Sequence, residues 1–252
     1  MSTWETQPAE KLPARVAGGR GWRWLVEAFW LVRKQPLSWV AMAAGYLLIH
    51  FLVARIPMVG APLTFFMAPV FAGGFVLQAD RAARGETVKM AGMFDGFRLA
   101  LRPLLNVGML YLGLMMLAML VLGVIGGAMG ITVQGEGGPE GLPQLGGPVL
   151  AFMLVTGALM FVLSLCYWFA PALVTLDGMG AWEAVRLSLK AGLVNWRAVL
   201  FSGLMLSLML FLALLPLGLG LLLWFPVLYV TAFTGWRDVF GGQPVLPELV
   251  VD

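Results

Sequence analysis

The acidic and basic residues divide the chain into charged segments and five long stretches that carry no charge. There are 20 uncharged residues between Lys34 and Arg55, 24 between Arg55 and Asp80, and 33 between Arg102 and Glu136. Glu140 and Asp177 enclose 36, and Arg197 and Arg237 enclose 39. A helix crossing a bilayer needs about 20 apolar residues, because roughly 30 Å of hydrocarbon is covered at 1.5 Å per residue. Each of the first four stretches accommodates one crossing. The fifth is too long for one, and Leu215-Pro216-Leu217-Gly218-Leu219-Gly220 supplies turn residues near its middle. It reads as a hairpin of two helices.

The pattern therefore predicts an all-α, polytopic membrane protein with six transmembrane helices, near 37–55, 58–79, 103–128, 149–171, 198–214 and 217–235. These lie in one domain, 19–238, between a disordered N-terminus (1–18) and a tail (239–252). Five spans with one long tilted helix is the alternative. Basic residues favour six. With six crossings, Arg55 alone among the 16 Lys and Arg falls in an outer segment, and both termini are placed in the cytoplasm. Five crossings would put Arg237 outside. The composition agrees with a membrane class: 60% hydrophobic and 12% charged residues, against roughly 25% charged in an ordinary soluble domain. The polar first 18 residues show no cleavable signal peptide.

Three of the charged segments share a design. In the first, Trp22, Leu25, Phe29 and Val32 fall on one helical face opposite Arg23, Glu27 and Lys34, with Trp24 and Arg33 nearby. In the second, Met90, Met93, Phe97 and Leu101 oppose Lys89, Asp95, Arg98 and Arg102. In the third, Trp182, Val185, Leu189 and Leu193 oppose Glu183, Arg186, Lys190 and Arg197. Basic amphipathic helices rich in aromatics suit the membrane interface. Plain linkers packed on the bundle are the other reading. The expected lipid-interface residues are Trp22, Trp24, Arg33, Lys34, Arg98, Arg102, Arg186 and Lys190.

Every second span also repeats a motif. Aromatic residues precede a proline at Phe66-Met67-Ala68-Pro69, Trp168-Phe169-Ala170-Pro171 and Trp224-Phe225-Pro226. A proline removes one helical hydrogen bond and bends the helix. Three pseudo-repeats of interfacial helix, span and kinked span account for both patterns. Gly73 and Gly74, just beyond Pro69, fit either a hinge or close helix packing. Between the third and fourth spans, 131–147 is Gly-rich and holds no basic residue, as expected of an external loop.

Little chemistry is visible. His50 is the one histidine, near the outer end of its span, and it fits either proton sensing or plain packing. Cys166 is the one cysteine and reads as a small apolar residue in the fourth span. Three or four converging metal ligands are lacking, as are the Gly-x-Ser-x-Gly and His-Glu-x-x-His signatures. No enzyme activity, cofactor or metal is expected.

The stretch Ala170-Pro171-Ala172-Leu173-Val174-Thr175-Leu176-Asp177-Gly178-Met179-Gly180, followed by Ala184, Ser188 and Asn195-Trp196-Arg197, resembles the YciC-like group of bacterial inner-membrane proteins and a related proteobacterial set. Ala72-Gly73-Gly74 with Gly85 is a second shared element. The resemblance implies six helices in an inner membrane and marks Gly73, Gly74, Pro171, Asp177 and Asn195 as structural positions, to which the proline repeat adds Pro69 and Pro226. It implies no activity. The expected role is therefore contact with membrane lipids, through anionic headgroups on the cytoplasmic side, or with a protein partner or second copy. Nucleic acid is not expected as a partner. The competing role is a transporter or channel for an apolar or amphiphilic solute.

Overall fold

A computed structural model describes residues 12–129 and 147–241, and every regular element in them is helical. In chain order these are α1 (Arg20–Lys34), α2 (Pro36–Ala54), α3 (Gly60–Ala83), a 3-10 turn (Met90–Phe94) running into α4 (Asp95–Leu99), and α5 (Leu101–Ala128). Then follow α6 (Gly147–Trp168), α7 (Ala170–Asp177), α8 (Ala181–Val194), α9 (Trp196–Leu214) and α10 (Leu221–Phe240). The expected loop 131–147 lies outside the described residues, apart from Gly147, which opens α6.

Five helical runs are long and apolar enough to cross a membrane: α2, α3, α5, the run Gly147–Asp177 and α9. The expected sixth corresponds to α10. At 20 residues α10 has the length but not the apolarity, because Thr231, Thr234, Arg237 and Asp238 occupy its last turns. The outer helices are oily where no described residue covers them: on α5, Met116, Leu117, Met119, Leu120 and Val124 are all exposed. Hydrocarbon, and not water, is the solvent such a surface requires.

The helices that carry the prolines or continue from them, α3, α7 and α10, pack on one another in the middle. The first helix of each pair, α2, α5 and α9, lies to the outside with few buried residues. The short segments follow one rule. The 3-10 turn rests on α2 and α3, α8 rests on α5 and α6, and α1 rests on α9 and α10. Each thus sits on the pair of long helices before it, with α1 joining the last pair. All short segments lie at one end, and the tight α2–α3 and α9–α10 hairpins at the other.

Their inward faces match those expected only in part. On α1 the expected Leu25 and Val32 are buried together with Trp24, Glu27, Ala28 and Leu31, whereas Trp22 and Phe29 are exposed. On α8 the expected Val185 is buried together with Ala181, Ala184, Ser188 and Ala191, whereas Trp182 and Leu193 are exposed. The second segment is no continuous amphipathic helix. It breaks into the 3-10 turn and one α-helical turn, Met90 and Leu101 are exposed, and Asp95 is buried instead of facing out. On α8 the small residues allow the helix to lie close on its neighbours α5 and α6.

Candidate functional site

The short-helix end is assembled by side chains that pin each short segment to the long helices. Asp238, near the end of α10, receives Arg20 of α1 in a bidentate ion pair, with Nε at 2.8 Å and the second guanidinium nitrogen on the other oxygen. It also accepts a hydrogen bond from Trp24 Nε1 at 2.8 Å. One turn earlier, Thr234 donates to the Trp24 carbonyl at 2.9 Å. The hydrogen bond from Arg20 to Asp238 raises the guanidinium pKa above its usual value, and Glu27 adds to that. Trp24 is therefore not at the lipid interface, where the sequence places it. It is fully buried, held by a carboxylate.

A second cluster holds the 3-10 turn and α4. Gln78 of α3 donates to the buried Asp95 carboxylate at 2.8 Å and accepts from the Lys89 backbone at 3.1 Å, while Arg81 approaches Asp95 at 3.5 Å. Gln35, between α1 and α2, donates to the Glu86 carbonyl and accepts from the Val88 amide. A Cβ on Gly74 would collide with the Met93 carbonyl, so this glycine serves close backbone approach. Gly73 is pressed instead by the side chains of Leu104 and Thr175.

Pro171 opens α7, and the chain breaks at Phe169 just before it. Ser188 of α8 enters that break. Its hydroxyl donates to the Leu165 carbonyl at 2.7 Å and accepts from the Phe169 amide at 3.0 Å, so it bridges the pair that an unbroken helix would join directly. Pro69 and Pro226, by contrast, sit inside continuous helices. Gly178 ends α7 in a left-handed conformation (φ +68°), and Met179 bonds back to the Leu173 carbonyl at 3.2 Å, a Schellman closure. Asp177 accepts from Trp236 Nε1 of α10 at 2.9 Å.

Asn195 ties down the N-terminal strand of chain. Its Oδ1 accepts from the Val16 amide at 2.8 Å and its Nδ2 donates to the Ala14 carbonyl at 2.9 Å, while the Ala14 amide reaches Val239. The sequence alone reads 1–18 as disordered; 14–16 are instead held by this amide. Asp238, Gln35, Gln78 and Ser188 escape sequence reasoning as site residues. Their one signal is a polar side chain at the margin of an apolar helix.

Around these pins runs a rim of exposed cations and aromatics. Arg33, Lys34, Arg98, Arg102, Arg186 and Lys190 are all exposed. Trp22, Trp182 and Trp196 stand among them with 53%, 68% and 45% of their surface open. Lys34 lies over the Trp30 ring at 3.2 Å, and Arg197 over Trp196 at 5.4 Å. Tryptophan among cations is the composition of a membrane–water boundary. Between α5 and the first turn of α8 the rim opens into a groove of about 820 Å³, apolar except for Asn106 and Glu183.

The interior offers less chemistry. His50 Nδ1 lies 3.0 Å from the Tyr46 carbonyl, and its ring packs on Tyr46 (centroids 4.0 Å apart) and Phe71. Cys166 is a buried free thiol. No group of three His, Cys, Asp or Glu side chains able to hold a metal occurs among the described residues.

No family model matches the chain, so the YciC-like resemblance drawn from 170–180 and 72–74 gains no support from that comparison. The chain is similar to a probable inner membrane protein of Burkholderia thailandensis, with 28% identity over 264 residues that cover 92% of this chain and 97% of the relative. No solved structure matches.

Proposed function

We propose that this is a bacterial inner-membrane protein of six spans, with both termini and all short segments in the cytoplasm, which acts without catalysis by engaging lipid. The rim of exposed Arg and Trp side chains carries the reading. The name and organism of the Burkholderia relative support the compartment. The location of every described basic residue except Arg55 at the short-helix end supports the orientation. With α10 counted as the sixth span, the rule by which each short segment rests on the preceding pair supports three pseudo-repeats.

The transporter reading is weaker. It calls for an open polar space around the three kinks, whereas Pro69, Pro171 and Pro226 are buried and Gly73 has neighbours pressed against it. An envelope scaffold or accessory subunit that recruits anionic headgroups fits better. Each basic residue near an anionic surface contributes about 1 kcal/mol. Reversing Arg98, Arg102, Arg186 and Lys190 to Glu should therefore reduce retention of phosphatidylglycerol, measured by native mass spectrometry from nanodiscs, by at least tenfold. Unchanged retention would overturn the reading.

A further inference from the structure

The groove between α5 and α8 carries a more specific recognition than the rim, although the inference rests on the reading that this end of the protein works at a lipid surface. We infer that the groove holds one molecule of phosphatidylethanolamine, with an acyl chain laid along α5 and the headgroup between the first turns of α5 and α8.

The floor of the groove is Gly113, whose missing side chain leaves open space with nothing within 4 Å of a built Cβ. Met109, Leu110, Leu114 and Leu117 form the apolar walls. From Asn106 to Leu117 the helix rises about 16 Å at 1.5 Å per residue, the depth of one leaflet of a roughly 30 Å hydrocarbon layer. An acyl chain fits that length and chemistry. A soluble ligand does not.

The mouth selects the headgroup. Asn106 and Glu183 line it, with the exposed Trp182 beside them. Arg102 lies one helical turn before Asn106 on α5, and Arg186 one turn past Trp182 on α8. The side chains of Glu183, Arg102 and Arg186 form no ion pair or hydrogen bond with any described residue. Two cations and one carboxylate thus stand ready for a ligand that has both signs. A phosphodiester accepts from the guanidinium groups, and a primary ammonium donates to the Glu183 carboxylate and the Asn106 carbonyl. A phosphatidylglycerol headgroup would satisfy the arginines but offers Glu183 only neutral hydroxyl donors and no counter-charge. A choline headgroup has no N–H to donate.

The test uses the full-length protein in nanodiscs of equal parts phosphatidylethanolamine, phosphatidylglycerol and phosphatidylcholine, extracted into mild detergent with retained lipid counted by mass spectrometry. The wild type should retain phosphatidylethanolamine over phosphatidylglycerol at least fivefold above the nanodisc ratio. Glu183→Gln should return that ratio to within twofold of the bilayer. Gly113→Leu should reduce retention of the selected lipid severalfold, and it should fold, since the position is open and leucine is the better helix former. Gly123→Leu, on the same helix and also open, is the control that should change nothing. A wild-type ratio equal to that of the bilayer, or one that Glu183→Gln leaves unmoved, overturns the inference. Both groove variants keep every rim cation, so unchanged phosphatidylglycerol retention when only Arg98 and Lys190 are reversed, alongside intact phosphatidylethanolamine selection, would sink the rim reading and leave the groove standing.

Discussion

Helices α1 and α8 have the same task, to lie across a pair of long helices at one end of the bundle, and they are fastened by opposite chemistry. α1 is held by charge: Asp238 gathers the Arg20 guanidinium and the Trp24 indole on one carboxylate. α8 is held by a neutral hydroxyl, Ser188, set into a gap in another helix. The exposures explain the choice. Arg20 and Asp238 keep 20% and 9% of their side-chain surface open, so part of their hydration survives, while Ser188 has none. An ion deprived of water must be fully paired or it destabilises the fold by several kcal/mol. A hydroxyl supplies one donor and an acceptor at far lower desolvation cost, and a severed Leu165–Phe169 hydrogen bond needs one of each.

The charged fastening should be the more sensitive to removal. Asp238→Ala leaves a half-buried guanidinium and a buried indole N–H without their shared acceptor, at a cost of about 3 kcal/mol. Thermal unfolding in detergent should show the loss, and limited proteolysis should cut faster just before Arg20 as α1 lifts. Asp238→Asn retains an acceptor without the charge and should lose about half as much. If the two variants behave alike, the carboxylate matters as a shape and not as an ion, and the contrast with α8 dissolves.

Ser188→Ala comes next, at about 2 kcal/mol, because it strands the Phe169 amide and the Leu165 carbonyl in a dry site. Its signature should be local. Hydrogen exchange at the Phe169 amide should accelerate while the amides around Arg20 stay protected. Acceleration at both places would mean that the two fastenings are coupled through α7 and α10, which touch.

The comparison also explains what could be read from the sequence. Crossing helices announce themselves, since charge-free runs have to be that long, and of the three prolines Pro171 adjoins a break while Pro69 and Pro226 lie inside continuous helices. The inward faces of α1 and α8 followed from oiliness only in part: Leu25, Val32 and Val185 are buried as the stripes predict, but Trp22, Phe29, Trp182 and Leu193 face out. On α8 the inner face goes largely to Ala181, Ala184, Ser188 and Ala191, whose small size permits close approach. Trp24 was misplaced for a related reason: its partner Asp238 lies 214 positions away, and no local pattern joins them. Asn195 stood out through the resemblance, but only the folded chain brings Ala14 and Val16 to it.

Asn195 therefore offers the smallest and finest test, a third fastening between the two extremes. It is buried, as Ser188 is, yet the backbone it holds belongs to an extended segment at the surface that water can reach when released. Asn195→Ala should cost about 1 kcal/mol, or roughly 2–4 °C in melting temperature for a chain of this size. Exchange at the Val16 amide should quicken without change at Phe169. Asn195→Asp separates the two halves of the grip, because Oδ1 still accepts from Val16 while the donor to the Ala14 and Ala191 carbonyls is gone. Val16 should then stay protected even as the melting temperature falls. Loss of Val16 protection in the Asp variant would place the grip in the donated bonds, and a loss as large as that of Asp238→Ala would show that the N-terminal strand of chain, and not the ion pair behind it, is what holds α1 in place.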